Sequence, residues 1–190
     1  MVTSQYLSNT LSLRCTEVTG VEPISLAEAK TFLRVDHDDE DSMIEVMIAA
    51  IRDHAEGRTH RVLRQSTWEW TVSGLSGVCQ VPLTPCSACS GIVMDGEEVD
   101  TELFTFRAGD MSPLFATVTA SEYFPEGEAT LTLTAGYPDG QVPEGILRWM
   151  QIRLGDAYEQ RESFAVGVHF FEFSHNFVDS LLDPYRIVDV

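Results

Sequence analysis

Pro23-Ile24-Ser25-Leu26-Ala27-Glu28-Ala29-Lys30-Thr31-Phe32-Leu33 is the stretch on which the reading of the fold turns. Ser25 stands where a helix N-cap belongs, and Glu28 follows three residues later. That is a capping box, in which the serine and glutamate side chains each accept a backbone N–H from the other's residue. Ile24, just before the cap, is placed to staple the entering chain onto the first turn. The spacing predicts a helix over Leu26–Leu33, with Leu26, Ala29, Phe32 and Leu33 sharing one face. It stops at Val35-Asp36-His37-Asp38-Asp39-Glu40-Asp41, a polar and strongly acidic connector. A second helix then opens, capped by Asp38, Asp39 or Asp41, with acidic residues at the positive end of its dipole. Ile44, Met47, Ile48, Ile51 and Ala55 recur at helical spacing as a buried stripe. Gly57 is the expected stop, with Arg52, Arg58 and Arg61 near the negative end. These segments form a helical hairpin.

Beyond the hairpin the period changes. Thr67-Trp68-Glu69-Trp70-Thr71-Val72 alternates aromatic and β-branched residues, as a strand does. Val78 to Val81 reads as a second short strand, ahead of Pro82, Pro85 and a stretch of small residues. Ile92 to Val99 reads as a hairpin turning on Asp95-Gly96. Phe104 to Arg107, Ala116 to Thr119 and Ala129 to Ala135 supply further strands, which together suggest a small antiparallel sandwich or barrel. Helical spacing returns at Pro143-Glu144, with Ile146, Leu147, Met150, Leu154, Ala157 and Tyr158 along one side and an end near Arg161 to Ser163. A short apolar helix is expected over Phe177 to Leu182. Asp183-Pro184 breaks it and leaves an extended tail.

The fold class is therefore α+β. A helical core, made of the N-terminal hairpin and the C-terminal helices, holds an inserted small antiparallel β domain. The expected boundaries are an extended arm over 1–23, helical core over 24–64, β insertion over 65–141, helical core over 142–182 and an extended tail over 183–190.

Composition narrows the function. The 190 residues are 44% hydrophobic and 22% charged, as in a globular protein. Thirty acidic side chains against twelve basic ones leave a net charge of −18. So acidic a body repels phosphate backbones and anionic membrane surfaces, which argues against a groove-reading DNA binder. The opening residues have neither a basic nor an apolar signal-peptide region, and no apolar run is long enough to span a bilayer. A cytosolic setting is expected, with Cys15, Cys79, Cys86 and Cys89 reduced.

The chemical motifs are weak. Asp36-x-Asp38-x-Glu40 lacks the glycine and the final glutamate of a calcium loop, since Met47 stands at the twelfth position. Cys86-Ser87-Ala88-Cys89, with Cys79 upstream, has the spacing of half a zinc site but no second ligand pair follows. His169 and His175 lie among Phe170, Phe171, Phe173 and Phe177, where packing or an interface explains them better than ligation. No nucleophile elbow or phosphate-cradling loop occurs. Asp156 and Glu159, one helical turn apart, read as a solvated face. Trp68 and Trp70 share one strand face, as a stacking platform or, more simply, a core-facing pair. Catalytic, cofactor and metal residues are accordingly expected to be none.

The order of the pieces carries a resemblance. Glu22-Pro23-Ile24-Ser25-Leu26-Ala27-Glu28-Ala29-Lys30, Phe32-Leu33-Arg34-Val35-Asp36 and Asp38-Asp39-Glu40-Asp41 resemble the opening of the head-tail connector (adaptor) family of long-tailed phages, also found in gene transfer agents. The likeness continues through Ile44 to Arg58, Gln65-Ser66-Thr67-Trp68-Glu69, Leu133-Thr134-Ala135-Gly136-Tyr137 and Val142-Pro143-Glu144. It closes with Tyr158-Glu159-Gln160-Arg161-Glu162 and Leu181-Leu182-Asp183-Pro184-Tyr185-Arg186. The resemblance implies a non-enzymatic virion neck protein, assembled in the host cytoplasm. It implies a homo-oligomeric ring, usually of twelve subunits, between the portal protein and a head-closure or tail-terminator protein. Genomic DNA would pass through without specific binding. It also implies portal contacts by the C-terminal segment, hence Tyr185, Arg186, Ile187, Val188, Asp189 and Val190. Phe170, Phe171, Phe173 and Phe177 are candidates for contacts between subunits. The Cys86–Cys89 stretch and the phenylalanine-rich Phe164 to Phe177 depart from the family pattern. The competing readings are a small zinc-binding enzyme or regulator using Cys79, Cys86, Cys89 and a histidine, or another β-rich virion module such as a head-closure or tail-end protein.

Overall fold

The computed structural model describes residues 10–110, 114–163 and 175–187. Their contacts divide them into two compact units: 10–20 with 64–138, and 21–63 with 139–187. The first is the β unit and the second the helical unit, so the fold is α+β with helices flanking an inserted antiparallel β region.

In the helical unit, α1 spans Leu26–Leu33 and is closed at both ends by local chemistry. Ser25 Oγ accepts the Glu28 N–H at 3.3 Å, and Glu28 Oε2 accepts the Ser25 N–H at 2.8 Å. Arg34 turns left-handed, and the Val35 N–H reaches back to the Lys30 carbonyl. Helix α2 spans Asp41–Thr59 and buries Ile44, Ile48, Ile51, Ala55 and Thr59. Its cap differs from the expectation. Glu40 is the N-cap and makes no side-chain cap bond. Asp38 and Asp41 are engaged instead by Lys30 Nζ, at 2.6 and 2.7 Å, which ties the connector back to α1. The helix also runs past Gly57, and the left-handed stop falls on His60.

Helix α3, Glu144–Ser163, buries Ile146, Trp149, Met150 and Leu154. The short helix α4 spans His175–Ser180, earlier than expected, and Leu181 and Leu182 follow as a turn. The segment expected as an extended tail opens as a 3-10 turn over Asp183–Tyr185. Among the described residues no helix is long and apolar enough to cross a membrane.

The β unit holds two antiparallel sheets. Strands β1 (Thr10–Val18), β2 (Ser66–Ser73), β3 (Val78–Gln80), β4 (Cys86–Met94), β5 (Glu97–Glu98), β6 (Phe104–Arg107), β7 (Thr117–Ala120) and β8 (Glu128–Ala135) follow in chain order. One sheet runs β1-β2-β8-β4-β5 and the other β3-β7-β6. Alternation assigns the faces: Ala129, Leu131, Leu133 and Ala135 of β8 are buried, while Thr130, Thr132 and Thr134 are half-buried. The β4–β5 turn has Asp95 at φ 52° and Gly96 at φ 85°, the two positive angles a tight hairpin needs.

Strand β4 corrects the sequence reading, which left its first half as a small-residue connector between strands. Two bulges interrupt its pairing with β8, between Cys86 and Ala88 and between Cys89 and Gly91. Ser87 and Ser90 donate their hydroxyls to the Thr134 and Thr132 carbonyls there, at 3.3 Å each. The first bulge also places Cys86 and Cys89 on one face, which an odd separation forbids in a regular strand. Gly136, at φ 98°, ends β8 where a Cβ would lie 2.1 Å from the Arg64 carbonyl oxygen.

Candidate functional site

The portal-contact candidates lie on a structure that begins at the end of α2. The last carbonyls of a helix lack intrahelical donors. The Thr59 carbonyl finds one in the Ile187 N–H at 3.0 Å, so a residue from the far end of the sequence caps this helix. Next to it Arg61, 3% exposed, donates from Nε to the Tyr185 carbonyl at 2.7 Å. Ile187 and Leu182 are buried. The Tyr185 ring lies over the first turn of α3, where a Cβ on Gly145 would come within 2.7 Å of Tyr185 Cε2. Glycine at position 145 therefore makes room for the aromatic ring.

Helix α4, which leads into that turn, is held by one carboxylate. Asp179 Oδ1 accepts Trp149 Nε1 at 3.0 Å and Arg153 Nη2 at 2.8 Å. Its Oδ2 pairs with Arg58 Nη2 at 2.9 Å. One side chain thus joins α2, α3 and α4. Burial pushes the Asp179 carboxyl up, but the Trp149 and Arg153 hydrogen bonds and the Arg58 and Arg153 charges outweigh it, leaving the group below its ordinary value. Trp149 itself is fully buried, with the His54 ring edge-on at 5.4 Å.

Of the candidates taken from the sequence, Tyr185 is half-buried, Arg186 exposed and Ile187 buried. Phe177 on α4 is 74% exposed. Val188, Asp189, Val190, Phe170, Phe171 and Phe173 lie outside the described residues. Sequence reasoning missed Arg61, Gly145, Trp149 and Asp179. Two signals were available: a glycine in the first turn of a strong helix, and a lone aspartate inside the apolar run Phe177-Val178-Asp179.

The other motifs resolve into structure. Trp70 is buried and donates to Thr10 Oγ1 at 3.1 Å, while half-buried Trp68 donates to Ser66 Oγ at 2.8 Å, as a core-facing pair does. Asp156 pairs with Arg153 on its own helix. Burial pushes the Cys86 thiol up to about 12 and the Cys89 thiol up as well, which disfavours the thiolates a zinc site requires. Among the described residues, no three His, Cys, Asp or Glu side chains are gathered to hold a metal ion.

Charge is distributed unevenly along the sequence. Between Gln65 and Leu147 the sole basic residue is Arg107. The β4–β5 hairpin and the residues after it expose Asp95, Glu97, Glu98, Asp100 and Glu102, and the β7–β8 connection exposes Glu122 and Glu126.

Residues 23–97 match the family model of phage gp6-like head-tail connector proteins. Among curated proteins the sequence finds no match. Solved structures share its fold over nearly their whole length. A chain in the neck of an empty gene transfer agent particle, computed with C6 symmetry, is 17% identical with a TM-score of 0.74, over 95% of this chain and 97% of that one. A chain of the native gene transfer agent virion is 20% identical with a TM-score of 0.72 over the same shares. One in the native neck, computed with C12 symmetry, is 18% identical with a TM-score of 0.66, over 93% and 97%. The sequence match is thus to the connector family over 23–97, and beyond those residues the likeness is one of fold.

Proposed function

We propose that this protein is a structural subunit of a virion neck: an adaptor ring that joins the portal to the next neck or tail protein and extends the DNA channel. The observation that carries the reading is the fold shared along 95% of the chain with a protein of a gene transfer agent neck, together with the connector-family match. The ring has twelve copies in this reading, a number that the C12 symmetry of one such neck supports. The portal is met by the surface around Tyr185, Arg186 and Ile187 and by Val188–Val190. The far side of the ring receives a head-closure or tail-terminator protein. A channel passes DNA without gripping it when carboxylates line it, and the near absence of basic residues between Gln65 and Leu147 suits that role.

Mass photometry of the chain alone and mixed with its portal ring tests the reading. A mass increment of one adaptor per portal subunit is the expected result. No association at any salt concentration refutes it. Deleting Val188–Val190 tests the portal contact without disturbing the Thr59 cap. A deletion from Tyr185 onward would also remove Ile187 and the acceptor of Arg61, so it confounds binding with folding. Full portal binding after loss of Val188–Val190 would leave the contact to the folded turn.

A further inference from the structure

The five-stranded sheet is covered unevenly on its apolar face. Across β2 and β8 that face buries Trp70, Val72, Leu131 and Leu133. At β1 the cover ends. Leu13 and Cys15 stand opposite Trp70 and Trp68, and Val18 stands opposite Ser66. Directly paired residues point to one face. Yet Leu13 is 37% and Val18 50% exposed, Cys15 is exposed, and Leu11 in the adjoining irregularity is 55% exposed.

The backbone of β1 is open in the same place. Among the described strands it pairs with β2 on one side and with none on the other. Soluble proteins shield such an edge with proline, lysine or an inward charge. Strand β1 has neither proline nor lysine, and its Arg14 is held by Glu69. Nine residues of extended chain present about 30 Å of edge. Main-chain donors and acceptors and an apolar strip thus lie side by side, the combination that strand addition uses.

We propose that β1 is the surface on which a second copy of this chain docks, extending the sheet and covering Leu11, Leu13, Cys15 and Val18. The inference rests on the connector reading and names the contact between its subunits. Charge selects the occupant. Copies that each carry −18 repel, so they can close a ring only through faces poor in carboxylates. The β4–β5 hairpin and the β7–β8 connection are rimmed with carboxylates, whereas β1 carries Glu17 alone, three residues from Arg14. A contact that uses β1 on one copy and a different surface on the next is heterologous, the type that closes cyclic rings.

Cys15 reports on the contact, because it is the exposed cysteine of the four. The full chain is labelled with a maleimide, free and within the assembled ring, and each cysteine is followed by peptide mass spectrometry. Labelling at Cys15 is expected to fall at least about tenfold in the ring, since thiol reactivity follows access. Undiminished labelling in the ring overturns the inference, as does protection already present in the free subunit. Where the ring forms on the portal, protection already complete at about one adaptor per portal ring assigns the strip to the portal, and protection that appears only when the next neck protein is added assigns it to that protein; either also overturns it. In parallel, Leu11→Glu and Leu13→Glu are expected to keep the wild-type circular dichroism and unfolding midpoint but to form no ring. Wild-type assembly by Leu11→Glu, at the more exposed site, refutes the proposal. A wild-type chain that never assembles removes the connector reading as well, whereas a ring with open Cys15 removes this inference alone.

Discussion

Replacing Asp179 is the sharpest test of how the C-terminal turn is held. In Asp179→Ala the fully buried Trp149 loses the acceptor of its indole N–H, which leaves a buried donor unsatisfied at about 1–3 kcal/mol. Arg153, whose side chain is 16% exposed, loses a charge-assisted bond of about 1.5–3 kcal/mol, partly offset by its second partner Asp156. Arg58 is a third exposed and contributes no more than about 1 kcal/mol. The sum is about 3–5 kcal/mol, allowing for coupling among groups that share one carboxylate. Asp179→Asn keeps an oxygen for Trp149 and loses the charge, so about 1–2 kcal/mol is expected. Urea unfolding followed by tryptophan fluorescence and circular dichroism measures both. The pH dependence carries a sign. A carboxyl held below its ordinary value stabilises the fold fully above about pH 4, and that stabilisation is lost as pH falls from there through the lowered folded value. The gap between wild type and Asp179→Asn should therefore close in acid. A loss under about 1 kcal/mol for Asp179→Ala, or an asparagine variant as damaged as the alanine one, would refute the reasoning.

Three other outcomes are expected. Gly136→Ala should lower stability by more than about 3 kcal/mol in the same assay, because the residue holds φ 98° and its Cβ would meet the Arg64 carbonyl oxygen at 2.1 Å. Ser25→Ala should cost about 1 kcal/mol through the lost cap. The Ser25 hydrogen bonds hold the Glu28 carboxyl below its usual range, so this contribution should be complete above about pH 4.3 and fade as pH falls below it. In a thiol assay at pH 8, Cys86 should stay unreactive until the protein unfolds, since burial holds its thiol near 12.

The helical framework was legible wherever local chemistry decides an element. Helix α1 begins and ends at the residues the capping box implies, because Ser25, Glu28 and Arg34 satisfy its ends from within the same stretch. Phe104–Arg107 is likewise a strand by its own alternation. What was not legible depends on distant partners. The aspartates before α2 look like caps, yet Lys30 takes Asp38 and Asp41, and a capping rule that reads one helix at a time cannot see a lysine on another. Cys86 to Gly91 has the composition of a loop. It becomes strand because β8 pairs with it through two bulges that the serine hydroxyls bridge. The Asp179–Trp149 contact joins residues whose separation in sequence says nothing of their meeting.

The C-terminal turn changes how a contact there would be made. A segment that orders only on binding loses about 1–2 kcal/mol of backbone entropy per residue at that moment. For Tyr185, Arg186 and Ile187 that loss is met when the helical unit folds, through the Arg61 and Thr59 hydrogen bonds and the burial of Ile187. About 3–6 kcal/mol of ordering is thereby kept out of the association step. Under the proposed reading, the portal meets a preformed edge in which Arg186 is exposed and its neighbours are held from below. Assembly order then cannot come from these three residues folding on the portal. On that reading it comes from the contact between copies, where chains of like charge approach only once something brings them close. On the same reading, a portal that seated one adaptor at each of its own subunits would raise the local concentration of β1 edges, and closure of the ring would follow from that proximity.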